Sequence, residues 1–303
     1  MDARGAVLIA RRPAHVHQGD LWEFPGGKLE AGESVQAGLA RELEEELGIL
    51  PERSRPLIRI HHDYSDKSVL LDVWRVEGFR GTPHGREGQP VRWLAPEALD
   101  PNEFPAANRP IIAALQLPDR YLITPEPGHD VDRFLARLDT LMADGLQLVQ
   151  LRAKTLGREA YRTLAVQVLD RARQRGTKVM LNADPSWCEG LEPAGLHLTA
   201  ERLRVLRDRT GLPGRWLGAS CHDEAEIERA RALGVDFVVI GPVAETRSHP
   251  GAPTLGWPRF AALCERASLP AYALGGVRPD DIAQAQAHGG QGIAAIRSLW
   301  GMA

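Results

Sequence analysis

Between residues 35 and 47 apolar side chains recur at every fourth position, Val35, Leu39, Leu43 and Leu47. That stripe predicts a helix with one buried face, and Gly48 supplies its left-handed end. Short apolar runs at 6–10, 57–62, 69–76 and 91–94 predict strands, and 81–90 is a loop by its glycine and proline density. A second helix starts at Pro110, with proline in the first turn. Past Leu117-Pro118-Asp119 the pattern changes. Strands are predicted at 121–124, 146–151, 178–182, 195–198, 216–220, 236–241, 271–275 and 292–296, with helices such as 131–144, 158–175 and 224–233 between them. Eight strand-then-helix units imply a compact (β/α)8 barrel, whose buried parallel strands explain continuous runs such as Phe237-Val238-Val239-Ile240. The expected organisation is therefore an α/β chain of two domains, 1–117 and 119–303.

The bulk numbers agree with this division. A chain of 303 residues is comfortable for two domains, and 43% hydrophobic with 25% charged residues is ordinary for a globular protein. A net charge of −3 gives no electrostatic case for gripping a nucleic-acid backbone. No run is long enough for a membrane span and no signal block opens the chain, so a cytoplasmic location is expected. Cys188, Cys221 and Cys264 are odd in number and widely spaced, which argues for buried thiols in a reducing compartment. A homo-oligomer is left open.

The helix at 35–47 carries the first candidate chemistry. Glu42, Glu45 and Glu46 stand at i, i+3 and i+4, so their like charges converge on one face. Either that face is solvated or a divalent cation removes the conflict. Oxygen-only ligands suit Mg2+ or Mn2+. The surrounding spacing decides between them: Gly27, five residues, Glu33, seven residues, then Arg41-Glu42-Leu43-x-Glu45-Glu46-x-Gly48-Ile49. This resembles the Nudix hydrolase box. With LWEFPGGK (21–28), GREGQP (85–90) and FPAANRP (104–110), residues 5–117 resemble the MutT-type 8-oxo-dGTP diphosphatases of that superfamily.

The resemblance implies a Nudix α/β/α sandwich around a mixed sheet. It also implies metal held by the Gly26 carbonyl, Glu42, Glu45, Glu46 and Glu87, with Glu33 and Arg41 orienting those carboxylates. Asn108 would read the purine edge, and Arg12 and His17 would line the nucleotide pocket. The implied reaction is attack of water on a nucleoside triphosphate at the β-phosphorus, releasing monophosphate and pyrophosphate. Two bland readings stand beside these: Glu87 as a solvated loop charge, and Asn108 as a cap for the helix at Pro110. Nudix folds also normally have a strand before the one at 6–10. Either the start is late, or that strand is absent and a sheet edge is covered some other way.

A (β/α)8 barrel carries function on the C-terminal ends of its strands. Those ends hold Gln150, Arg152 and Lys154, then Asn182 and Asp184, Ser220 and His222, Thr246, Ser248 and His249, and Gly275-Gly276. The set is cationic and glycine-rich, suited to a phosphorylated ligand. Gly275-Gly276 and the turn after Ile296 fall where barrels build phosphate cradles, with Arg297 adding charge.

The segments QLRAK (150–154), LNAD (181–184), GLHLT (195–199), GASCH (218–222), GPVAETRSHPGAPTLGW (241–257) and ALGGV (273–277) resemble the thiamine phosphate synthase and TenI superfamily over residues 120–300. The synthase reaction needs metal-bound pyrophosphate. Here Asn182-Ala183 stands where that family has Asn-Asp, Arg202 where it has an aspartate, and His249 where it has a lysine. TenI, a thiazole tautomerase, needs only a proton shuttle, and His222 aligns with its catalytic histidine. Capping of the helix near Asp223 is the alternative role for His222. The readings of the whole chain are a fused enzyme, a hydrolase carrying a non-catalytic module for a thiazole or thiamine phosphate, and a Nudix enzyme acting on a thiamine-pathway pyrophosphate.

Overall fold

The computed structural model describes residues 1–15, 18–63, 68–246, 251 and 253–302. The chain divides into two compact units, Met1–Gln116 and Leu117–Ala303.

The first unit runs β1 (Val7–Arg11), β2 (Trp22–Glu23), α1 (Val35–Leu47), β3 (Leu50–Asp63), β4 (Ser68–Arg80), β5 (Val91–Leu94) and α2 (Arg109–Gln116). The two-residue period of β1 makes it a sandwich. Leu8 packs with Leu43, Leu47 and Ile49 on the α1 side. Val7 and Ile9 pack on the other side with Phe104 and Ile112. The helix forms as its stripe predicts: Ser34 caps it by accepting the Ala37 N–H, and Gly48 closes it at φ 69°. Leu43 and Leu47 are buried.

Three expectations need correction. The sheet expected to be mixed shows only antiparallel pairings among the described residues, as β2-β1-β5 and as the β3–β4 hairpin. The physical reason is connectivity: the helical crossover α1 joins β2 to β3, and those two strands do not pair. The hairpin is also far longer than the apolar runs at its centre. Pro51 and Pro56 lie in β3, and the register shifts beside them break the alternation on which a sequence reading relies. Finally, the edge beside β1 is covered in part by the two-residue β2, which pairs at Ala10 and Arg11, while β5 pairs with it along Val7–Ala10.

The second unit is a closed parallel barrel: β6 (Arg120–Ile123), α3 (Val131–Ala143), β7 (Leu148–Leu151), α4 (Arg158–Arg175), β8 (Lys178–Leu181), β9 (Gly195–Leu198), α5 (Ala200–Val205), β10 (Trp216–Cys221), α6 (Glu224–Leu233), β11 (Phe237–Ile240), α7 (Gly256–Ala267), β12 (Ala271–Leu274), α8 (Ile282–Ala287), β13 (Gly292–Ala295) and α9 (Arg297–Trp300). Strands follow sequence order around the barrel, with β13 closing on β6. One expected strand-then-helix unit is incomplete. After β8 only a 3-10 turn, Pro185–Trp187, stands before β9, because Pro185, Gly190 and Pro193 crowd a short connection.

The strand period divides the core into two layers. Leu122, Val149, Val179, Leu196, Leu217, Val238, Ala271 and Ile293 point outward to pack under the helices with Leu138, Leu164, Val168, Ile227 and Phe260. The alternate positions fill the interior, where Tyr121, Phe237 and Tyr272 are fully buried and meet with centroids 5.5–5.8 Å apart. Gly218 makes room there. A Cβ on it would lie 2.5 Å from the Phe237 ring and 3.0 Å from His197 Nδ1.

Candidate functional sites

In the first unit the box folds around Arg41 of α1. Its Nε and Nη2 donate to the two oxygens of Glu33, each at 3.1 Å. Its Nη1 donates to Glu42 at 2.9 Å and to Glu45 at 3.3 Å, and Nη2 also reaches the Lys28 carbonyl at 3.0 Å. These bonds, with the Glu30 N–H, hold the Glu33 carboxyl below its ordinary range. Gly27 permits the packing: a Cβ there would sit 2.2 Å from the Glu42 carboxylate.

Glu46 lies one turn beyond Glu42 on α1. One oxygen accepts the Gly26 N–H at 3.1 Å. Burial, followed by repulsion from Glu23, Glu42 and Glu87, pushes its carboxyl up to about 7 against that single bond. Four carboxylates thus share one field. Their oxygen-only chemistry fits a hard divalent cation. Among the described residues, however, no three acidic groups close into a coordination set. Glu42 and Glu45 turn to the guanidinium of Arg41 and Glu46 to a backbone donor, so the five expected metal-site groups are near one another without converging.

Arg12 forms an ion pair with Glu23. Glu87 sits on its exposed loop, where its N–H donates to Gln89 Oε1 and the Gln89 amide in turn ties to the Glu46 carbonyl. Asn108 is buried and closes the 3-10 turn Ala106–Asn108, immediately before α2. His17 lies outside the described residues.

At the barrel mouth, Glu126 accepts from Arg152 Nη1, the amides of Lys154 and Thr155, and the Thr155 hydroxyl, at 2.9–3.3 Å. This one carboxylate orders the loop after β7. Burial alone would raise its pKa, but these donors hold it low. Lys154 is exposed. Gln150 is only 2% exposed and bonds Tyr121 and Asn182 within the barrel.

His222 follows β10 with its ring half exposed, and its Nδ1 lies 2.9 Å from Glu226 Oε2. Glu226 is buried and also accepts the His222 N–H at 2.8 Å and Arg204 Nη2 at 2.7 Å. Burial raises its pKa, and the bonds from His222 and Arg204 outweigh that. The cap of α6 is Asp223, through the Glu226 N–H, so His222 is free of that duty.

Elsewhere the mouth is less specific. Gly275 and Gly276 have φ of 94° and 67° and approach the 242–245 segment so closely that a Cβ would meet backbone at 2.7 and 2.5 Å. Close packing requires them whatever else they do. Arg297 is exposed at the start of the one-turn α9, and Thr246 is half-buried after β11. Ser248 and His249 lie outside the described residues. Cys221 faces the helix layer, where burial pushes its thiol up to about 12, so it takes no part in the mouth.

Comparison with known proteins matches the two units separately. Residues 1–114 match the NUDIX domain model, and residues 120–299 match the model of thiamine monophosphate synthase. The 8-oxo-dGTP diphosphatase of Escherichia coli is 40% identical over 110 residues, 36% of this chain and 85% of that one. The thiamine-phosphate synthase of Thermus thermophilus is 35% identical over 184 residues, 59% of this chain and 86% of that one. The chain belongs to both families, one per unit. Thiamine phosphate pyrophosphorylase from Pyrococcus furiosus shares the barrel fold, with a TM-score of 0.52 at 18% identity over 65% of this chain and 93% of that one.

The Nudix unit makes the chain a pyrophosphohydrolase-type enzyme. Its structure adds Glu23, which the sequence reading passed over although it stands in the segment leading to the box. In the synthase-family barrel the overlooked residues are Glu126, Tyr121, His197 and Glu226. Only Glu226 had a local signal, being four residues past His222 at the first turn of a helix. The others meet their partners across strands, beyond the reach of spacing.

Proposed function

We propose that the Nudix unit hydrolyses an oxidised purine nucleoside triphosphate, 8-oxo-dGTP, to 8-oxo-dGMP and pyrophosphate with Mg2+ (or Mn2+), and serves to clean the cytoplasmic nucleotide pool. The observation that carries this reading is the crowding at Glu46, whose carboxyl is raised by burial and by Glu23, Glu42 and Glu87. The Gly26 carbonyl, Glu42, Glu45, Glu46 and Glu87 would hold the ion. A bound divalent cation neutralises triphosphate charge and acidifies water. The chain supplies the rest. Arg41 and Glu33 hold Glu42 and Glu45 in place, Glu46 is suited to accept the proton of the attacking water, and Asn108 offers a buried amide to the purine edge. Replacing Glu46 by Gln should lower Mg2+-dependent hydrolysis of 8-oxo-dGTP at least about a hundredfold, roughly 3 kcal/mol of barrier. Near-normal turnover would overturn the assignment.

The barrel, from a boundary near Leu117, is read as a site for a thiazole or thiamine phosphate, with Arg152, Lys154, Thr246, Gly275, Gly276 and Arg297 around the ligand. Its reaction is read as proton transfer of the tautomerase kind. His222 supports this, since Glu226 holds Nδ1 and leaves Nε2 to carry the proton. Arg202, bonded to Asn182 at 2.9 Å, puts a fixed cation where a metal-bound diphosphate would need acidic ligands, which disfavours the synthase reaction. Replacing His222 by Ala should abolish thiazole tautomerisation and leave nucleotide hydrolysis intact. A wild-type chain without tautomerase activity would leave the barrel as a binding module.

A further inference from the structure

Six side chains form a continuous line of hydrogen bonds through the barrel interior. Arg202 Nη1 meets Asn182 Oδ1 at 2.9 Å, Asn182 Nδ2 meets Gln150 Oε1 at 2.8 Å, and Gln150 Nε2 meets the Tyr121 hydroxyl at 3.2 Å. The same hydroxyl lies 3.2 Å from His197 Nδ1, and His197 Nε2 lies 2.9 Å from Ser220 Oγ. Tyr121, Gln150 and His197 are at most 2% exposed, so water does not compete along the middle of the line. Ser220 stands one residue before the end of β10, half exposed at the mouth.

The direction of the line follows from one residue. A guanidinium donates and never accepts, so Asn182 must present its oxygen to Arg202 and its NH2 onward. Gln150 must then present its oxygen to Asn182 and its NH2 to Tyr121. The tyrosine oxygen therefore accepts from Gln150, and its own proton has one remaining acceptor in the line, His197 Nδ1. Were Nδ1 protonated instead, the buried hydroxyl would have no acceptor in the line, and a buried donor left unpaired is costly. Burial pushes the His197 imidazole down to about 3, so the ring is neutral and carries a single proton. That proton is on Nε2 and is donated to Ser220, and the serine's own proton turns away from the line.

We propose that Arg202 sets the direction of this line and thereby fixes Ser220 as a hydrogen-bond donor. The mouth of the barrel then selects a ligand that presents a lone pair there, a phosphoryl oxygen or an unprotonated ring nitrogen. The ligand half of this proposal rests on the reading of the mouth as a binding site; the direction does not. Bonds aligned in one sense also polarise one another, so the positive end at Arg202 makes Ser220 a stronger donor than an isolated hydroxyl. An acidic side chain at position 202 would demand a donor from Asn182. Every group in the line would turn over, leaving Ser220 to donate inward and to accept from a ligand.

The test reads the ring nitrogens of His197 by NMR in the full-length chain labelled with 15N-histidine, the signal being assigned by its loss in His197→Gln. The expected result is a protonated Nε2 and a pyridine-like Nδ1. The opposite tautomer, or an even mixture, would overturn the proposal. Arg202→Glu should invert the two signals and the milder Arg202→Met should mix them; an unchanged Nε2–H tautomer in both would remove Arg202 as the cause. For the ligand, calorimetric titrations use inorganic phosphate and 4-methylthiazole as probes. Ser220→Ala should weaken one of them about tenfold, near 1.4 kcal/mol, and the probe affected names the acceptor. Equal affinities with and without the hydroxyl, or no binding of either probe to the wild-type chain, would overturn the ligand half whatever the tautomer shows.

Discussion

Arg41 holds three carboxylates and a carbonyl with one planar group. Such a hub is sensitive to small displacements. A methyl on Gly27 falls on the end of the flexible Glu42 side chain, which can move away. We therefore expect Gly27→Ala to keep its melting temperature within about 2 °C and to lose hydrolysis by roughly tenfold or more, a combination read from a thermal melt and kcat/KM on one preparation. Glu46 allows a test by pH. Its folded carboxyl is raised above the ordinary value near 4.5, so the folded chain binds the extra proton. Without metal, stability should fall as pH climbs from about 4.5 to 7 and then level off. Denaturant midpoints across that range should show the slope in the wild type and lose it in Glu46→Gln. Mg2+ should stabilise more at pH 8 than at pH 5, because its ligands must be ionised.

At the scale of elements, α1 is held at both ends by single residues. Ser34→Ala removes the bond to the Ala37 N–H and should cost about 1 kcal/mol in unfolding of the Nudix unit. Gly48→Ala forces a side chain into φ 69° with His84 3.1 Å away, and should cost about 1–2 kcal/mol. The Gly48 end was legible in the sequence, as were the helix stripe and the eight barrel strands, since each rests on a pattern within a dozen residues; the Ser34 cap was not read. The β3–β4 hairpin was half legible, because prolines and bulges interrupt its alternation. The missing helix after β8 was legible in composition but hidden by the regularity of its neighbours. Of the sites, the resemblance carried by the box implied that Arg41 and Glu33 orient helix glutamates, and Arg41 bonds Glu33, Glu42 and Glu45. The fields of Glu23 and Glu87 on Glu46, and the line from Arg202 to Ser220, arise from side chains 20 or more residues apart brought together by the tertiary fold. No local pattern encodes that.

At the scale of the molecule, each unit has its own hydrophobic core. Two unfolding transitions are expected by calorimetry. Mg2+ should raise one and inorganic phosphate at the barrel mouth the other. A single transition moved equally by both would show that the units unfold together.

The short connection after β8 has a consequence for the three thiols. Cys221 ends strand β10 and packs under the helix layer, and Cys264 sits on the buried face of α7, whereas Cys188 follows directly on the 3-10 turn and is held by a weak bond to the Asp184 carbonyl at 3.6 Å. Where a barrel segment lacks a full helix, the smallest opening that bares the layer beneath involves a turn and not a dozen helical hydrogen bonds. Under native conditions a thiol-labelling reagent should therefore capture Cys188 long before the other two. Its rate would measure the breathing of that stretch of the barrel wall.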